Sequence, residues 1–254
     1  MNGKWSWLCL ILCCLAACGV KHVALDPTKQ SDKELYELGE KALEAKDYTK
    51  AREAFKVVFD SFPKSDYRIL AKIGYADSYY KDGGDSNWLL AIQEYQDFIS
   101  LFPFSPKAEY AQSQIGMSYF QMREKPDRDQ TNTRKALEEF KKVIDNYPNG
   151  QSYQASYQKL VECYSQLAFH DYMIAHFYER TGRKGACVER MKSLLKSYPE
   201  STYKPEYYLL IGNCLEDLEQ DTEACTYYSK IGEKWADSEF ASKAKSGAAR
   251  TCKN

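Results

Sequence analysis

Small side chains recur in this chain at repeated spacings, and this recurrence limits the fold more than any other feature of the sequence. In the first unit Gly39, Ala51, Phe55, Val58 and Pro63 stand 12, 4, 3 and 5 residues apart. The last three spacings return as Ala91, Tyr95, Phe98, Pro103, as Ala136, Phe140, Val143, Pro148, and as Cys187, Met191, Leu194, Pro199. Residues without bulk let two helices cross closely, a ring fills the space beside the crossing, and proline ends the second helix. The sequence therefore predicts consecutive helical hairpins.

These spacings resemble those of the tetratricopeptide repeat (TPR), in which each hairpin buries its apolar face on its neighbours. We expect an all-α superhelix of five TPR hairpins, whose first helices (A helices) line the concave surface. Within a domain at 32–250, the predicted repeats are about 32–66, 67–106, 107–150, 152–201 and 203–238. Helix A of repeat four should be lengthened, because no Gly or Pro interrupts 152–181. In repeat five Ala236 replaces the closing proline, as expected of a terminal repeat that need not stack on another.

Two hairpins have longer spacings between their small residues. Gly74 to Ala91 is 17 residues and Gly116 to Ala136 is 20, against 12 in the first unit. We expect the inserted segments, 81–87 and 123–133, to loop outward on the same edge of the stack.

The N-terminus has the pattern of an export signal. An apolar run from Trp5 to Leu15 is too short to span a bilayer, which favours a cleaved signal peptide at 1–17. It ends in Leu15-Ala16-Ala17-Cys18, which resembles the lipobox of bacterial lipoproteins and implies that Cys18 carries lipid, palmitate included. Gly19 after the cysteine implies delivery to the outer membrane, and 18–31 should be a flexible tether. The alternative is an ordinary signal peptide with a chance cysteine.

Composition and motifs argue against several classes of function. Lys and Arg number 35 against 36 Asp and Glu, so no charge excess draws the chain to nucleic acid or an anionic membrane. Nucleotide-binding, hydrolase and metalloprotease motifs are absent, so we expect no catalysis and no cofactor. Metal binding is also unexpected, although a redox or metal module at the Cys-rich end is an alternative. The five late cysteines leave the disulfide pairing open; they are Cys163, Cys187, Cys214, Cys225 and Cys252.

The A helices of repeats one to three carry many large side chains that the repeat phase turns toward the groove. An aromatic-lined groove suits an extended apolar peptide, because these rings supply contact area at small entropic cost. The same helical spacing is also typical of core residues. The predicted precursor-binding residues are Tyr36, Arg68, Tyr75, Tyr79, Tyr110, Met117 and Phe120.

Several segments together with the lipobox and the long helix of repeat four make the chain resemble the BamD family, lipoproteins of the outer-membrane β-barrel assembly machinery. The segments are Asp127-Arg128-Asp129-Gln130, the run from His170 to Tyr178, and Val188-Glu189-Arg190-Met191. Cys187 at a small-residue position departs from the pattern.

The resemblance implies a protein at the periplasmic face of the outer membrane that meets the bilayer only through its lipid anchor. Its implied partners are unfolded barrel precursors with aromatic C-terminal strands, a BamA-type barrel subunit and other assembly lipoproteins. It also implies that Arg190 and Tyr172 contact the barrel subunit, although an exposed or ion-paired Arg190 needs no such role. A general TPR scaffold for envelope enzymes, or a pilotin-like factor for secretin assembly, is the alternative function.

Overall fold

A computed structural model of the protein describes residues 25–199, 201 and 204–252. This part of the chain contains eleven α-helices and no strand, which confirms the all-α prediction. The helices are α1 (Asp32–Glu44), α2 (Tyr48–Ser61), α3 (Arg68–Asp82), α4 (Asp85–Leu101), α5 (Ala108–Gln121), α6 (Thr131–Asn146), α7 (Tyr153–Arg180), α8 (Lys184–Ser197), α9 (Lys204–Glu216), α10 (Asp221–Lys234) and α11 (Ala241–Thr251). The predicted signal peptide and Cys18 lie outside the described residues.

Helices that follow one another in the chain are also neighbours in space, as the hairpin prediction requires. The A helices additionally contact one another in the pairs α1–α3, α7–α9 and α9–α11. No two B helices, the second helices of the hairpins, make a comparable contact in the described part of the chain. At both ends of the stack the A helices therefore lie closer together than the B helices, which places the A helices on the inner side of the curve.

Local signals fix where the first hairpin begins and turns. Ser31 caps α1: its hydroxyl accepts from the Glu34 N–H, and the Glu34 side chain accepts from the Ser31 N–H. The Asp47 side chain caps α2 by accepting from the Lys50 N–H. These side chains satisfy backbone donors that have no partner within the helix.

The ring of Phe55 joins the first two repeats. It is fully buried, and a Cβ atom added to Gly39 or Gly74 would stand 2.6 or 2.7 Å from it. Gly39 belongs to the same hairpin as Phe55, whereas Gly74 belongs to the next one. Gly74, the small residue on helix A of repeat two, therefore also serves the joint between repeats.

The same arrangement returns at the other end of the stack, around Tyr228. A Cβ at Gly212 or Gly247 would stand 2.6 Å from its ring. Gly247 lies on α11, so α11 occupies the place of an A helix after repeat five. No further hairpin follows repeat five in the described residues, but the single helix α11 packs on it, which the sequence did not lead us to expect. The 35-residue spacing from Gly212 to Gly247, equal to that from Gly39 to Gly74, was the missed signal.

The two lengthened hairpins differ from each other. Only Gly83 and Gly84 separate α3 from α4, both with positive φ, so most of the predicted outward loop at 81–87 is helix. A true loop, 122–130, joins α5 to α6. It folds onto α7 rather than outward: the Gln166 side chain donates to Glu124 O at 2.8 Å, and His170 Nδ1 lies 2.7 Å from Pro126 O. Helix α7 has 28 residues, which confirms the lengthened helix of repeat four.

Two disulfides close joints between repeats in the C-terminal third. Cys187 on α8 pairs with Cys214 on α9, and Cys225 on α10 pairs with Cys252 just after α11. Cys163 is a free, buried thiol. The first disulfide is fully buried, whereas Cys252 is exposed. Each bond therefore ties a B helix to the helix that follows the hairpin.

Apolar stretches long enough to cross a bilayer are not found in any helix of the described residues, α7 included.

Candidate functional site

A carboxylate ringed by tyrosines lies on the inner layer of repeats one to three. Asp77 on α3 accepts hydrogen bonds from Tyr95 at 2.5 Å and from Tyr110 at 2.9 Å. Burial raises the pKa of Asp77, although both hydroxyls act to lower it. Because Tyr110 comes from α5, this carboxylate ties repeat two to repeat three at the inner surface.

Tyr36 on α1 extends the same surface into repeat one. Its ring stacks on Tyr67 at 5.1 Å, and Glu40 of the same helix lies near its hydroxyl. Burial, with the nearby charge of Glu40, raises the pKa of Tyr36 to about 12. Burial also raises the pKa of Glu40, while Lys81 opposes that shift. The inner face therefore combines half-buried rings with carboxylates that lie near a lysine.

Three of the predicted groove residues lie elsewhere, along the flank of α3 that faces α2 and α4. Arg68 donates to Phe59 O and stacks on the Phe59 ring at 4.4 Å. The hydroxyls of Tyr75 and Tyr79 meet at 3.1 Å, and Arg52 of α2 lies 4.8 Å from the Tyr79 ring. These contacts join α3 to the B helices, so Arg68, Tyr75 and Tyr79 do not share a face with Tyr36 and Tyr110.

Phe120 does not line an open groove, so that prediction was wrong. It is 4% exposed and packs edge-on against Phe140, with the Arg123 guanidinium 3.6 Å from its ring and Lys159 above it. Met117 is half-buried against the same core cluster. Both residues therefore serve the packing of repeat three against α7. Large apolar side chains at helical spacing are typical of such core packing.

The predicted contacts of the C-terminal half face two different neighbours. Arg190 on α8 pairs with Asp171 on α7 at 3.0 Å, and its side chain is 37% exposed. Tyr172 turns toward α9, where its ring lies 5.3 Å from Tyr207 and its hydroxyl is near Glu206. Arg190 is thus accessible to a partner, whereas Tyr172 mainly joins repeats four and five.

A pocket that the sequence analysis missed lies where the loop at 122–130 meets the end of α7. Its volume is about 390 Å³, and its lining is mostly apolar. Met173 and Phe177, four residues apart on α7, are exposed at its rim. The lining residues are Pro126, Asp127, His170, Met173, Ile174, Phe177 and Tyr178. The spacing of Met173 and Phe177 was visible in sequence, but their exposure depended on where the loop folds.

Within the described residues, no group of three His, Cys, Asp or Glu side chains stands together in a way that could hold a metal ion. Burial raises the pKa of the free Cys163 thiol to about 12. This thiol is therefore protonated at neutral pH and a poor nucleophile.

Comparison with known families and proteins gives a consistent result. The family model described as YfiO, outer membrane lipoprotein, matches residues 28–218, and a tetratricopeptide-repeat model matches 206–238. The outer membrane protein assembly factor BamD of Caulobacter vibrioides is 28% identical over 210 residues, which is 79% of this chain and 67% of that protein. The BamD of Haemophilus influenzae is 24% identical over 226 residues, 85% of each chain. These relatives carry the name of an assembly factor, in agreement with the expectation of a non-enzymatic protein.

Among solved structures, the TPR2AB domain of yeast Sti1 in complex with an Hsp90 peptide is 17% identical, with a TM-score of 0.44 over 87% of this chain and 84% of that one. A crystal structure of MamA is 18% identical, with a TM-score of 0.35 over 82% of this chain and 95% of the other.

Proposed function

The chain belongs to the YfiO family of outer membrane lipoproteins, and on that basis we propose that it is an assembly factor for outer-membrane β-barrel proteins. The family match over residues 28–218 carries this proposal. It favours barrel assembly over a general scaffold for envelope enzymes or a pilotin-like role, because the relatives share one named role over most of their length.

We propose that acyl chains on Cys18 hold the protein at the periplasmic face of the outer membrane. Several chains on one cysteine give firm anchoring, whereas a single chain gives only marginal binding. The prediction is that wild-type protein fractionates with outer membranes and that a Cys18→Ser chain does not. Wild-type protein found only in the soluble periplasmic fraction would contradict the anchor.

Barrel precursors, in this proposal, bind the inner layer of repeats one to three. Tyr36 and Tyr110 offer half-buried rings there, and Lys81 and Lys107 lie close enough to affect the carboxylates of that face. Rings would accept the aromatic end of an extended strand, and a lysine would attract its terminal carboxylate. Three of the predicted precursor-binding residues would act indirectly, by holding α3 against α2 and α4; these are Arg68, Tyr75 and Tyr79.

The BamA-type subunit, in this proposal, binds the C-terminal half near Arg190, with Tyr172 maintaining the junction behind it. The Arg190 guanidinium is anchored by Asp171 yet remains partly exposed, so a second carboxylate from a partner could reach it. The apolar pocket beside Met173 and Phe177 lies on α7, the helix that also carries Asp171 and Tyr172. It adds a surface for such a partner or for another assembly lipoprotein.

Photo-crosslinking in living cells tests both surfaces in one experiment. A crosslinking amino acid replaces Tyr110 on the inner layer, Arg190 on α8, or Gln96 on the exposed side of α4 as the control. We expect precursor adducts from position 110, barrel-subunit adducts from position 190, and neither from 96. Equal precursor adducts from 110 and 96 would remove the inner-layer assignment, and no adduct from 110 or 190 would remove the function.

A further inference from the structure

Exposed apolar side chains are concentrated in repeat two. Of ten large apolar residues exposed in the described part of the chain, six lie between positions 69 and 104, on α3, α4 and the turn that follows. Phe104 is the extreme case at 98% exposure, and Leu101, which precedes it by three residues, is 54% exposed. A phenylalanine that the fold leaves almost wholly in solvent adds nothing to the core, so it calls for another explanation.

The other repeats provide an internal control for this position. Each of the turns that follow α2, α4, α6 and α10 begins with an aromatic residue. The carbonyl of that residue accepts a hydrogen bond from the N–H of the residue three positions later. Phe104 stands two residues after its aromatic, and its counterparts are Lys64, Asn149 and Asp237. Leu101 stands one residue before, and its counterparts are Ser61, Asn146 and Lys234. The turn folds with polar residues at both positions, so its geometry does not require Phe104 or Leu101.

Contacts place this turn at the end of the stack where the chain enters the domain. Leu25, the first described residue, packs against the core of repeat one, and α1 then starts at that end. The Tyr36 ring of α1 stacks on Tyr67 in the turn after α2. Next to it, the guanidinium of Arg68 lies 5.8 Å from the ring of Phe102, two residues before Phe104.

We propose that this end of repeats one and two rests on the membrane, with Phe104 and Leu101 inserted into the phospholipid leaflet that holds the anchor. The inference rests on the proposed acylation of Cys18. Seven residues lead from Cys18 to Leu25, and they can span at most about 25 Å. The tether therefore confines this end of the stack to the bilayer surface. Because the tether is short, lipid is the molecule that the exposed Phe104 and Leu101 side chains would meet. A ring and a leucine at that level gain by burial at the boundary of headgroups and acyl chains.

The membrane contact would also orient the protein. A lipid anchor alone leaves the domain free to rotate about its tether, whereas a second contact one repeat away fixes the axis of the stack relative to the bilayer. The groove of the A helices would then face a constant direction relative to inserting barrels.

Fluorescence quenching by lipid tests the insertion. The lipidated full-length protein carrying Phe104→Trp is reconstituted into phosphatidylethanolamine–phosphatidylglycerol vesicles, with or without brominated acyl chains. The matched control is Asn149→Trp, in the equivalent turn of the next repeat. Trp88 and Trp235 give the same background in both, so only the emission added by each substitution is compared. We expect brominated lipid to reduce the emission added at 104 about twofold, because an inserted ring lies roughly 5–10 Å deep, and to leave that at 149 unchanged.

Flotation of the vesicles separates the two ideas on which the result depends. If the protein floats with the vesicles and the emission added by Phe104→Trp is not quenched, the membrane contact is overturned while the anchor stands. If wild-type protein does not float, both the anchor and the contact are overturned. A photo-crosslinker at 104 in cells should yield lipid adducts, and a discrete protein adduct instead would overturn the assignment in favour of a protein partner.

Discussion

The joint between repeats one and two and the joint between repeats four and five use different chemistry. At the first, the Phe55 ring sits between Gly39 and Gly74, and Arg52 on α2 pairs with Asp82 on α3 at 2.9 Å. At the second, the buried disulfide of Cys187 and Cys214 joins α8 to α9. Packing with an ion pair can open and close, whereas a covalent bond cannot without a reductant. The N-terminal joint therefore depends on close packing and one ion pair, whereas the C-terminal joint is also held covalently.

The largest expected effect comes from removing a ring, and it compares the first joint with the disulfide-bonded contact between repeat five and α11. Phe55→Ala should destabilise the N-terminal repeats by about 3–5 kcal/mol, because the ring is fully buried between two backbones that cannot collapse onto the space. Tyr228→Ala removes the corresponding ring, but the disulfide to Cys252 still holds α11 in place. Hydrogen exchange resolved by peptide should show lost protection on both sides of position 55 and retained attachment of α11.

Phe104→Ala is the control for this comparison, since its side chain is 98% exposed and its loss should leave the urea midpoint unchanged. Equal loss of protection around positions 55 and 228 would show that the disulfide adds nothing to the last joint.

Removing a disulfide should have the next largest effect. Each bond closes a loop of 27 residues, for which the chain-entropy relation gives about 3.5 kcal/mol. Cys187→Ala with Cys214→Ala should therefore lower the stability of the C-terminal repeats and leave repeats one and two unaffected, as followed by urea unfolding with peptide-resolved exchange. A loss that spreads evenly over the chain would mean that the two regions unfold as one unit.

A smaller effect tests the close approach at Gly74. The Cβ atom of Gly74→Ala would stand 2.7 Å from the Phe55 ring, so the helices must shift, at a cost of about 1–3 kcal/mol that exceeds the helical preference for alanine. Gly232 on α10 is the matched control, because nothing lies within 4 Å of its added Cβ. Gly232→Ala should instead raise stability by up to about 1 kcal/mol. Thermal melts of both variants test this prediction, and a stabilising Gly74→Ala would refute the close packing of Phe55 against Gly74.

Acid should act in opposite directions on the two regions, with the smallest effect. Burial raises the pKa of Asp77 in the folded chain, so its ionised form opposes folding, and this penalty disappears as pH falls below its folded pKa. Hydrogen bonding from Arg250 lowers the pKa of Glu216, so that contact stabilises above the unfolded pKa and is lost as pH falls through the folded one. Exchange protection of α11 should therefore fall on acidification from pH 7. The Asp77→Asn variant should be more stable than wild type at pH 7, and this difference in stability should disappear on acidification.

Much of the fold could be predicted because the requirement behind it is local. A small residue at a helix crossing, a ring four residues later and a proline after the helix are spaced by the geometry of one hairpin. The same logic predicted the lengthened α7, since an uninterrupted run needs no information from the rest of the chain. The candidate site was harder to predict from the sequence. Tyr36 and Tyr110 were placed on the inner layer, but the helical period alone could not distinguish them from Tyr75, Tyr79 and Phe120.

The sequence by itself determined the all-helical hairpin array, the export signal pattern and the family resemblance, because each is written in residues close together along the chain. The tertiary structure decided that Gly74 serves the preceding repeat, that α11 covers the last one, which cysteines pair, and that the loop at 122–130 folds onto α7. The reason is physical: these features depend on contacts between repeats. A helix presents several faces with similar apolar content, and only the packed stack determines which face meets a neighbour and which meets solvent.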